Sequence, residues 1–264
     1  MSILKDIQFG ISGYGKAVSF IRKNHFRRFF LVPIALNIIL FSFGISFVND
    51  LTASTMEFFQ AWTEPDTWNF WGAEFLASTV GFIIWLILKI FFFFLFAFIG
   101  GYVVLILLSP LLAYISEKTE SILTQSEYPF SWPQLIKDMI RGIIIAIRNF
   151  ALEMLAIVLL FFLSFVPVIG LLSTPILFVV SSYFYGFSFL DYTAERRRLK
   201  LKESIFFINR NKGLAITNGS LFAGALLIPI IGVSLSGFLA IISTVAATIS
   251  ILEKEKSEGT ILRP

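Results

Sequence analysis

The sequence predicts an all-α integral membrane protein with two long transmembrane helices, two Pro-x-x-Gly helical hairpins and amphipathic surface helices. Three observations lead to this prediction. Hydrophobic residues make up 57% of the 264 positions and charged residues only 14%, with a mean hydropathy of +0.85. Several apolar runs approach or exceed the roughly 20 residues that cross a hydrocarbon core of about 30 Å. Two apolar stretches also repeat one pattern, and internal repeats define an architecture. We therefore expect a single membrane domain over residues 1–264.

Residues 1–28 are predicted to form an amphipathic N-terminal segment. Apolar side chains recur there three or four positions apart, which is the spacing of a helix that lies on a membrane face. These side chains are Leu4, Ile7, Ile11, Tyr14, Val18 and Ile21. The basic run after Asp191 continues into residues 201–210 with the same helical spacing, so a second amphipathic helix is expected on the inner surface. The N-terminus lacks the short apolar core and small-residue site of a cleavable signal peptide.

Two long helices are expected at residues 29–48 and 75–115. Asn37 lies inside the first, and an amide at this depth needs a partner on a neighbouring helix. The second run is interrupted only by Lys89 and would be roughly 60 Å long, twice the hydrocarbon thickness. We therefore expect this helix to tilt, bend near Pro110 or protrude. Lys89 either extends its side chain to the outer boundary or is a buried functional charge.

The distribution of charge predicts the orientation of the chain. All 21 Lys and Arg residues lie before Phe29, at Lys89 or from Lys118 onward, whereas residues 50–74 carry five acids and no base. Basic segments of membrane proteins stay in the cytoplasm. We therefore expect the N-terminus inside, the loop at residues 49–72 outside and every later charged segment inside. The segment 117–148 is expected to be a cytoplasmic connection with helical pieces.

Two helical hairpins are expected at residues 150–190 and 214–252. The stretches SFVPVIGLLSTPILFVVSS and LLIPIIGVSLSGFLAIIST place turns at Pro167 to Gly170 and Pro229 to Gly232, 62 residues apart. Proline and glycine together end a helix and let the chain reverse. The four arms either cross as ordinary transmembrane helices or enter the bilayer partway. The short polar arm at residues 214–228 favours partial entry for the second hairpin.

The sequence lacks the signatures of common enzyme classes. It carries no cysteine, one histidine (His25) and no HExxH, GxSxG, Walker or Gly-rich dinucleotide motif. We therefore expect no catalytic residue, no metal site and no cofactor. His25 is expected to be an interfacial residue. The lipid bilayer is the expected partner, and nucleic acid is not.

Five charged residues are candidates for handling an ion. Arg27 and Arg28 begin the first long helix, where two guanidinium groups and free helix N–H groups would hold a small oxyanion, or where the two arginines anchor the inner boundary. Glu153 is embedded in an apolar hairpin arm, so it is either functional or paired with Arg148 or Arg141. Glu117 and Glu120 lie three apart on one helical face and line an entrance or a solvated surface.

Short motifs along nearly the whole chain resemble those of the CysZ-type sulfate permeases, the bacterial members of the etoposide-induced 2.4 family. Each motif is weak alone, but their order and spacing together are specific. They are the string from Arg27 to Pro33 followed by Asn37, Ser109-Pro110-Leu111-Leu112 with Glu117 and Glu120, Pro167 to Gly170, Asp191-Tyr192, Arg210 and Pro229.

The resemblance implies two long transmembrane helices, two partly penetrating hairpins, cytoplasmic termini and homo-oligomers in the bacterial inner membrane. It implies passive, channel-like passage of sulfate for cysteine synthesis, with Arg27 and Arg28 as the matching arginine pair. Residues 109–114 lack the glycine and asparagine that belong to the family's site, so the resemblance supports the fold more strongly than sulfate specificity. The alternative is a non-transporting membrane scaffold or lipid-organising protein of the same family.

Overall fold

The computed structural model describes residues 3–64, 67, 69–126, 132–228 and 231–259, and its regular elements are all helical. The all-α prediction is confirmed. The elements are α1 (Ile3–Lys23), a 3₁₀ helix (Phe26–Phe30), α2 (Leu31–Thr63), α3 (Ala73–Thr124), α4 (Trp132–Leu163), α5 (Pro167–Arg196), α6 (Leu201–Arg210), α7 (Lys212–Leu226) and α8 (Ile231–Glu258).

Five helical segments in the described part of the chain are long and apolar enough to cross a membrane. They are Phe26–Thr63, Ala73–Thr124, Ile140–Leu163, Ile169–Arg196 and Ser234–Glu258. Helix α7 has only 15 residues, which gives a length of about 22 Å and falls short of the hydrocarbon thickness. By length, α4 and α5, the two arms of the first hairpin, are both able to span the membrane. In the second hairpin only α8 is long enough.

The two long helices exceed their predicted bounds. Helix α2 continues through the predicted outer loop to Thr63, so the expectation that this loop begins at residue 49 is wrong. Helix α3 has 52 residues and contains Pro110, and its length is about 78 Å at 1.5 Å per residue. The segment 117–148 was predicted to contain helical pieces, and its helical residues belong to the end of α3 and the start of α4.

Each of the two chain reversals contains an equivalent backbone hydrogen bond. The N–H of Gly170 donates to the carbonyl of Val166, and the N–H of Gly232 donates to the carbonyl of Ile228, each at 2.8 Å. A Cβ atom at either glycine would overlap a backbone carbonyl of the preceding segment, so the chain reverses there only without a side chain. Pro167 is the first residue of α5, where its missing N–H has no intrahelical partner to lose. Pro229 lies outside the described residues.

Helix α8 is the centre of the bundle. In the apolar 18-residue stretch of its candidate span, 72% of the residues are buried. The helix packs against α1, α2, α3, α5 and α7. Asn37 of α2 donates its amide N–H to the carbonyl of Ser234 on α8, which confirms the expected partner helix. Helices α5 and α7 pack closely, because Gly186 and Gly219 face each other at the crossing.

Helix α1 is docked on the bundle by its small residues. Gly10 lies against Thr217, and Gly13 lies against Ser250 and the carbonyl of Ala246. Half of the predicted apolar stripe faces away from the protein, with Leu4 76% and Ile11 63% exposed, whereas Ile21 is buried. The glycines, which would weaken an isolated helix, therefore provide the contact face.

A tyrosine on α1 adds a polar link to the bundle. The Tyr14 hydroxyl donates to the carbonyl of Asn218 and forms a 2.8 Å hydrogen bond with Ser243. Burial raises the pKa of this phenol above its usual range, although the Ser243 bond opposes the shift. The hydroxyl therefore remains a neutral donor.

Candidate functional site

The predicted arginine pair lies on the 3₁₀ helix that precedes α2. Its N-terminal flanking residue, His25, has a φ of 59° and forms no side-chain cap. The side chains of Arg27 and Arg28 are both exposed. The guanidinium carbon of Arg28 lies 5.0 Å from the ring centre of Phe29, within cation–π range. The two cations thus stand at the start of the first candidate span with donors available to an anion.

Aromatic rings hold the 3₁₀ helix against three other helices. Phe26 is buried and contacts Phe20 of α1 and Phe29 edge-to-face, with centroid separations of 5.4 Å in both pairs. Phe29 contacts Tyr114 of α3 at 5.7 Å, and Phe30 contacts Phe238 of α8 at 5.7 Å. Edge-to-face and offset pairs add to the hydrophobic contribution of such rings. The position of the arginine pair is therefore set by α1, α3 and α8 together.

A cavity of about 330 Å³ opens beside the arginine pair. Two arginines and four apolar side chains line it: Arg22, Val18 and Ile21 from α1, Arg27 and Phe30 from the 3₁₀ helix, and Ile242 from α8. Sequence reasoning missed Arg22 as a neighbour of Arg27. The basic last turn of α1 could have indicated that Arg22 belongs to the site. The turn at residues 24–25 then brings Arg22 and Arg27 to one cavity.

Glu120 lies in a buried ion pair. Arg196 donates to it from two guanidinium nitrogens, one of them Nε at 2.8 Å. Each of the two side chains is only 9% exposed. Arg196 also donates to the hydroxyl of Ser116 at 2.6 Å and to that of Thr193 at 3.2 Å. Glu117 lies one turn earlier and is half-buried. The contacts of Glu120 tie α3 to α5.

Glu153 is fully buried between three apolar helices. The hydroxyl of Tyr102 on α3 and the hydroxyl of Ser181 on α5 each donate to its carboxyl group. The ring of Tyr185 lies 4.9 Å from that of Tyr102, and the Tyr185 hydroxyl has no hydrogen-bond partner within the described ranges. The structure thus gives Glu153 two hydroxyl partners.

The two arginines considered as partners of Glu153 bond elsewhere. Arg141 forms a forked pair with Asp191, at 3.0 and 3.1 Å, and Arg148 donates to Asn149 at 3.0 Å. Glu120 and Glu153 therefore each bond to groups other than Arg27 and Arg28.

The structure contains further buried ion pairs that the sequence reasoning missed. Asp191, Arg196 and Arg197 were interpreted as part of a basic surface run, but Asp191 is buried and both arginines are nearly so. Arg197 pairs with Glu255, and Lys254 pairs with Asp6 at 2.6 Å. The available signal was the mixture of acids and bases at the ends of apolar helices, since buried charges need partners.

Replacing Glu153 by Gln is expected to change the free energy of unfolding by less than about 1 kcal/mol. The amide keeps hydrogen-bonding capacity toward both hydroxyls, whereas Leu at the same position leaves buried hydroxyls unpaired at a cost of about 1–3 kcal/mol. Unfolding in mixed micelles, followed by tryptophan fluorescence, compares the two variants. Equal losses for Gln and Leu would contradict the hydrogen-bonding role.

Comparison with known proteins indicates the family of the chain. A family model described as sulfate transporter CysZ/etoposide-induced protein 2.4 matches residues 14–235. A relative from Pseudomonas aeruginosa, named sulfate transporter CysZ, is 25% identical over 229 residues, or 82% of this chain and 85% of the relative. Relatives of the same name from Pseudomonas syringae and Pseudomonas fluorescens are each 24% identical over 213 residues. These two matches cover 78% of this chain, with 78% and 80% of the respective relatives.

Proposed function

Because the chain belongs to the sulfate transporter CysZ/etoposide-induced protein 2.4 family, we propose that it is a membrane permease for sulfate or a related small oxyanion. The observation that carries the proposal is the exposed pair Arg27 and Arg28 on the 3₁₀ helix at the start of the first candidate span. Guanidinium groups form strong, directional hydrogen bonds with oxyanions. The arginine pair would take the anion from water at the membrane boundary.

Passage is proposed to be passive and independent of a cofactor. The sequence has no Walker motif for nucleotide hydrolysis, and the proposal has the anion move down its own electrochemical gradient. Sulfate entering in this way would supply sulfur assimilation. Glu117, Glu120 and Glu153 remain proposed pore or entrance residues. The buried ion pair of Glu120 and the hydroxyl partners of Glu153 are compatible with a second role in holding helices together.

The proposed location is the bacterial inner membrane, with both termini in the cytoplasm. The Pseudomonas relatives and the five apolar helices support a multi-pass bacterial membrane protein. The charge asymmetry between residues 50–74 and the rest of the chain supports the orientation. The 15-residue length of α7 supports a second hairpin that does not cross completely. Assembly into homo-oligomers is part of the same proposal and rests on the family resemblance.

Uptake of labelled sulfate into proteoliposomes is expected to exceed uptake into empty vesicles. It is expected to fall at least about tenfold at subsaturating sulfate in the double variant Arg27→Ala with Arg28→Ala. Hydrogen bonds to a charged group contribute roughly 1.5–3 kcal/mol each, and 1.4 kcal/mol is a factor of ten. The passive mechanism further predicts that an ionophore which removes only a pH difference leaves the initial rate unchanged, whereas a membrane potential that is negative inside lowers it, because sulfate carries two negative charges.

The matched control removes two positive charges elsewhere. Lys202 and Lys212 are both exposed, and the double variant Lys202→Ala with Lys212→Ala is expected to keep normal uptake. Equal losses in the two double variants would mean that overall charge, and not the arginine pair, governs entry. Uptake no faster than in empty vesicles would refute the permease proposal and favour the non-transporting scaffold.

A further inference from the structure

The cavity beside Arg27 combines two kinds of wall. Its charged part consists of the guanidinium-bearing side chains of Arg22 and Arg27, and its apolar part is formed by Val18, Ile21, Phe30 and Ile242. Both arginines are exposed, and the cavity opens to the surface at the start of the candidate span Phe26–Thr63. A ligand that fills this space therefore needs an anionic group joined to an aliphatic body.

A small oxyanion satisfies only the charged part of this cavity. Sulfate is far smaller than the cavity of about 330 Å³ and has no apolar surface to place against four hydrophobic side chains. Ligand pockets match their lining, with apolar walls for the body and a few polar groups for orientation. An aliphatic chain on this wall removes apolar surface from water, which is favourable in proportion to its area.

The place of the cavity in the fold points to a source for such an amphiphile. Helix α1 presents exposed apolar residues along its length, as expected for a helix in the interface between headgroups and acyl chains. The arginines stand where α1 ends and the first candidate span begins, and lipid phosphate groups are expected at the boundary of a span. Basic pockets beside membrane helices bind anionic headgroups.

We propose that the Arg22–Arg27 cavity binds one anionic phospholipid. The phosphate accepts hydrogen bonds from the two guanidinium groups, and the upper part of one acyl chain lies along Val18, Ile21 and Ile242. The site shares Arg27 with the proposed sulfate site but not Arg28, and lipid binding does not require that the protein transports sulfate. A negative result for lipid binding therefore leaves the transport proposal standing, and a negative result for transport leaves the lipid proposal standing.

Native mass spectrometry of the full-length protein in detergent tests the proposal. Dioleoylphosphatidylglycerol is titrated against dioleoylphosphatidylcholine, which has the same chains and no net charge. The wild-type protein is expected to bind the anionic lipid at least about tenfold more tightly. Arg22→Gln is expected to weaken binding of the anionic lipid, since one charge-assisted bond is worth about a factor of ten or more. It is also expected to reduce the preference, because the choline ammonium of phosphatidylcholine then meets one cation fewer. Val18→Trp keeps both charges but fills the cavity, and it is also expected to weaken binding of the anionic lipid.

Two control variants keep the test specific. Lys23→Gln removes a neighbouring exposed cation of α1, and Arg28→Gln removes the adjacent arginine that stacks on Phe29. Both are expected to retain the preference for phosphatidylglycerol. Excess inorganic sulfate, added as a competitor, distinguishes a lipid site from a small-anion site. Equal binding of the two lipids, a full preference in Arg22→Gln, or displacement of the lipid by sulfate at equal concentration would overturn the proposal.

Discussion

Replacing Glu120 by Ala is expected to lower the free energy of unfolding by about 3–5 kcal/mol. Removing one partner of a buried ion pair leaves the other charge without compensation, and this is the cost measured for such losses. Arg196 would retain the hydroxyls of Ser116 and Thr193, but neither carries a negative charge. Titration with sodium dodecyl sulfate in mixed micelles, followed by tryptophan fluorescence, measures the loss.

Two further variants test the physical reason. The exposed pair Lys16–Glu253 has side chains that are 54% and 29% exposed, so Glu253→Ala is expected to cost less than about 1 kcal/mol. Replacing both buried partners, Glu120→Leu with Arg196→Leu, is expected to recover much of the loss, because apolar groups in place of a buried ion pair are often neutral. A loss in Glu120→Ala as small as that in Glu253→Ala would show that the pair is not buried.

Replacing Gly186 by Ala is expected to destabilise the bundle by about 3 kcal/mol. The added methyl group would overlap the carbonyl oxygen of Ala215 on α7, and a methyl at Gly219 would meet the carbonyl oxygen of Ser182 on α5 in the same way. Small residues let membrane helices approach closely. Overpacking usually costs about 1–3 kcal/mol, and more where relief is difficult. Here the added methyl group meets a backbone carbonyl, which cannot rotate away as a side chain can, so α5 and α7 must move apart.

Glycine-to-alanine substitution at another helical position is expected to raise the free energy of unfolding instead of lowering it. Gly15 of α1 is exposed, and a Cβ atom there meets nothing within 4 Å. Gly15→Ala is therefore expected to stabilise the protein by about 0.5–1 kcal/mol, since alanine is the better helix former. Unfolding of both variants under one set of conditions gives the comparison. Similar effects at Gly15 and Gly186 would exclude close α5–α7 packing as the cause.

The sequence alone determined the fold class, the apolar helices and the candidate arginine pair. These features depend on local properties: the length of an apolar run, the period of its side chains and the position of Pro167 and Gly170. The backbone hydrogen bonds of Gly170 and Gly232 are equivalent, so the repeat in sequence is also a repeat in local geometry. Sequence also indicated that Asn37 needs a partner helix, because an unpaired amide at membrane depth is costly.

Only the tertiary structure decided which charges are buried and which groups meet. Asp6 and Lys254 are 248 positions apart, and Glu120 and Arg196 are 76 apart. No local pattern encodes such pairs, because their energy depends on burial and distance between helices that are remote in sequence. The same reason explains why Arg22 was not predicted beside Arg27. Their shared cavity exists only because α1, the 3₁₀ helix and α8 pack together at the start of the first span.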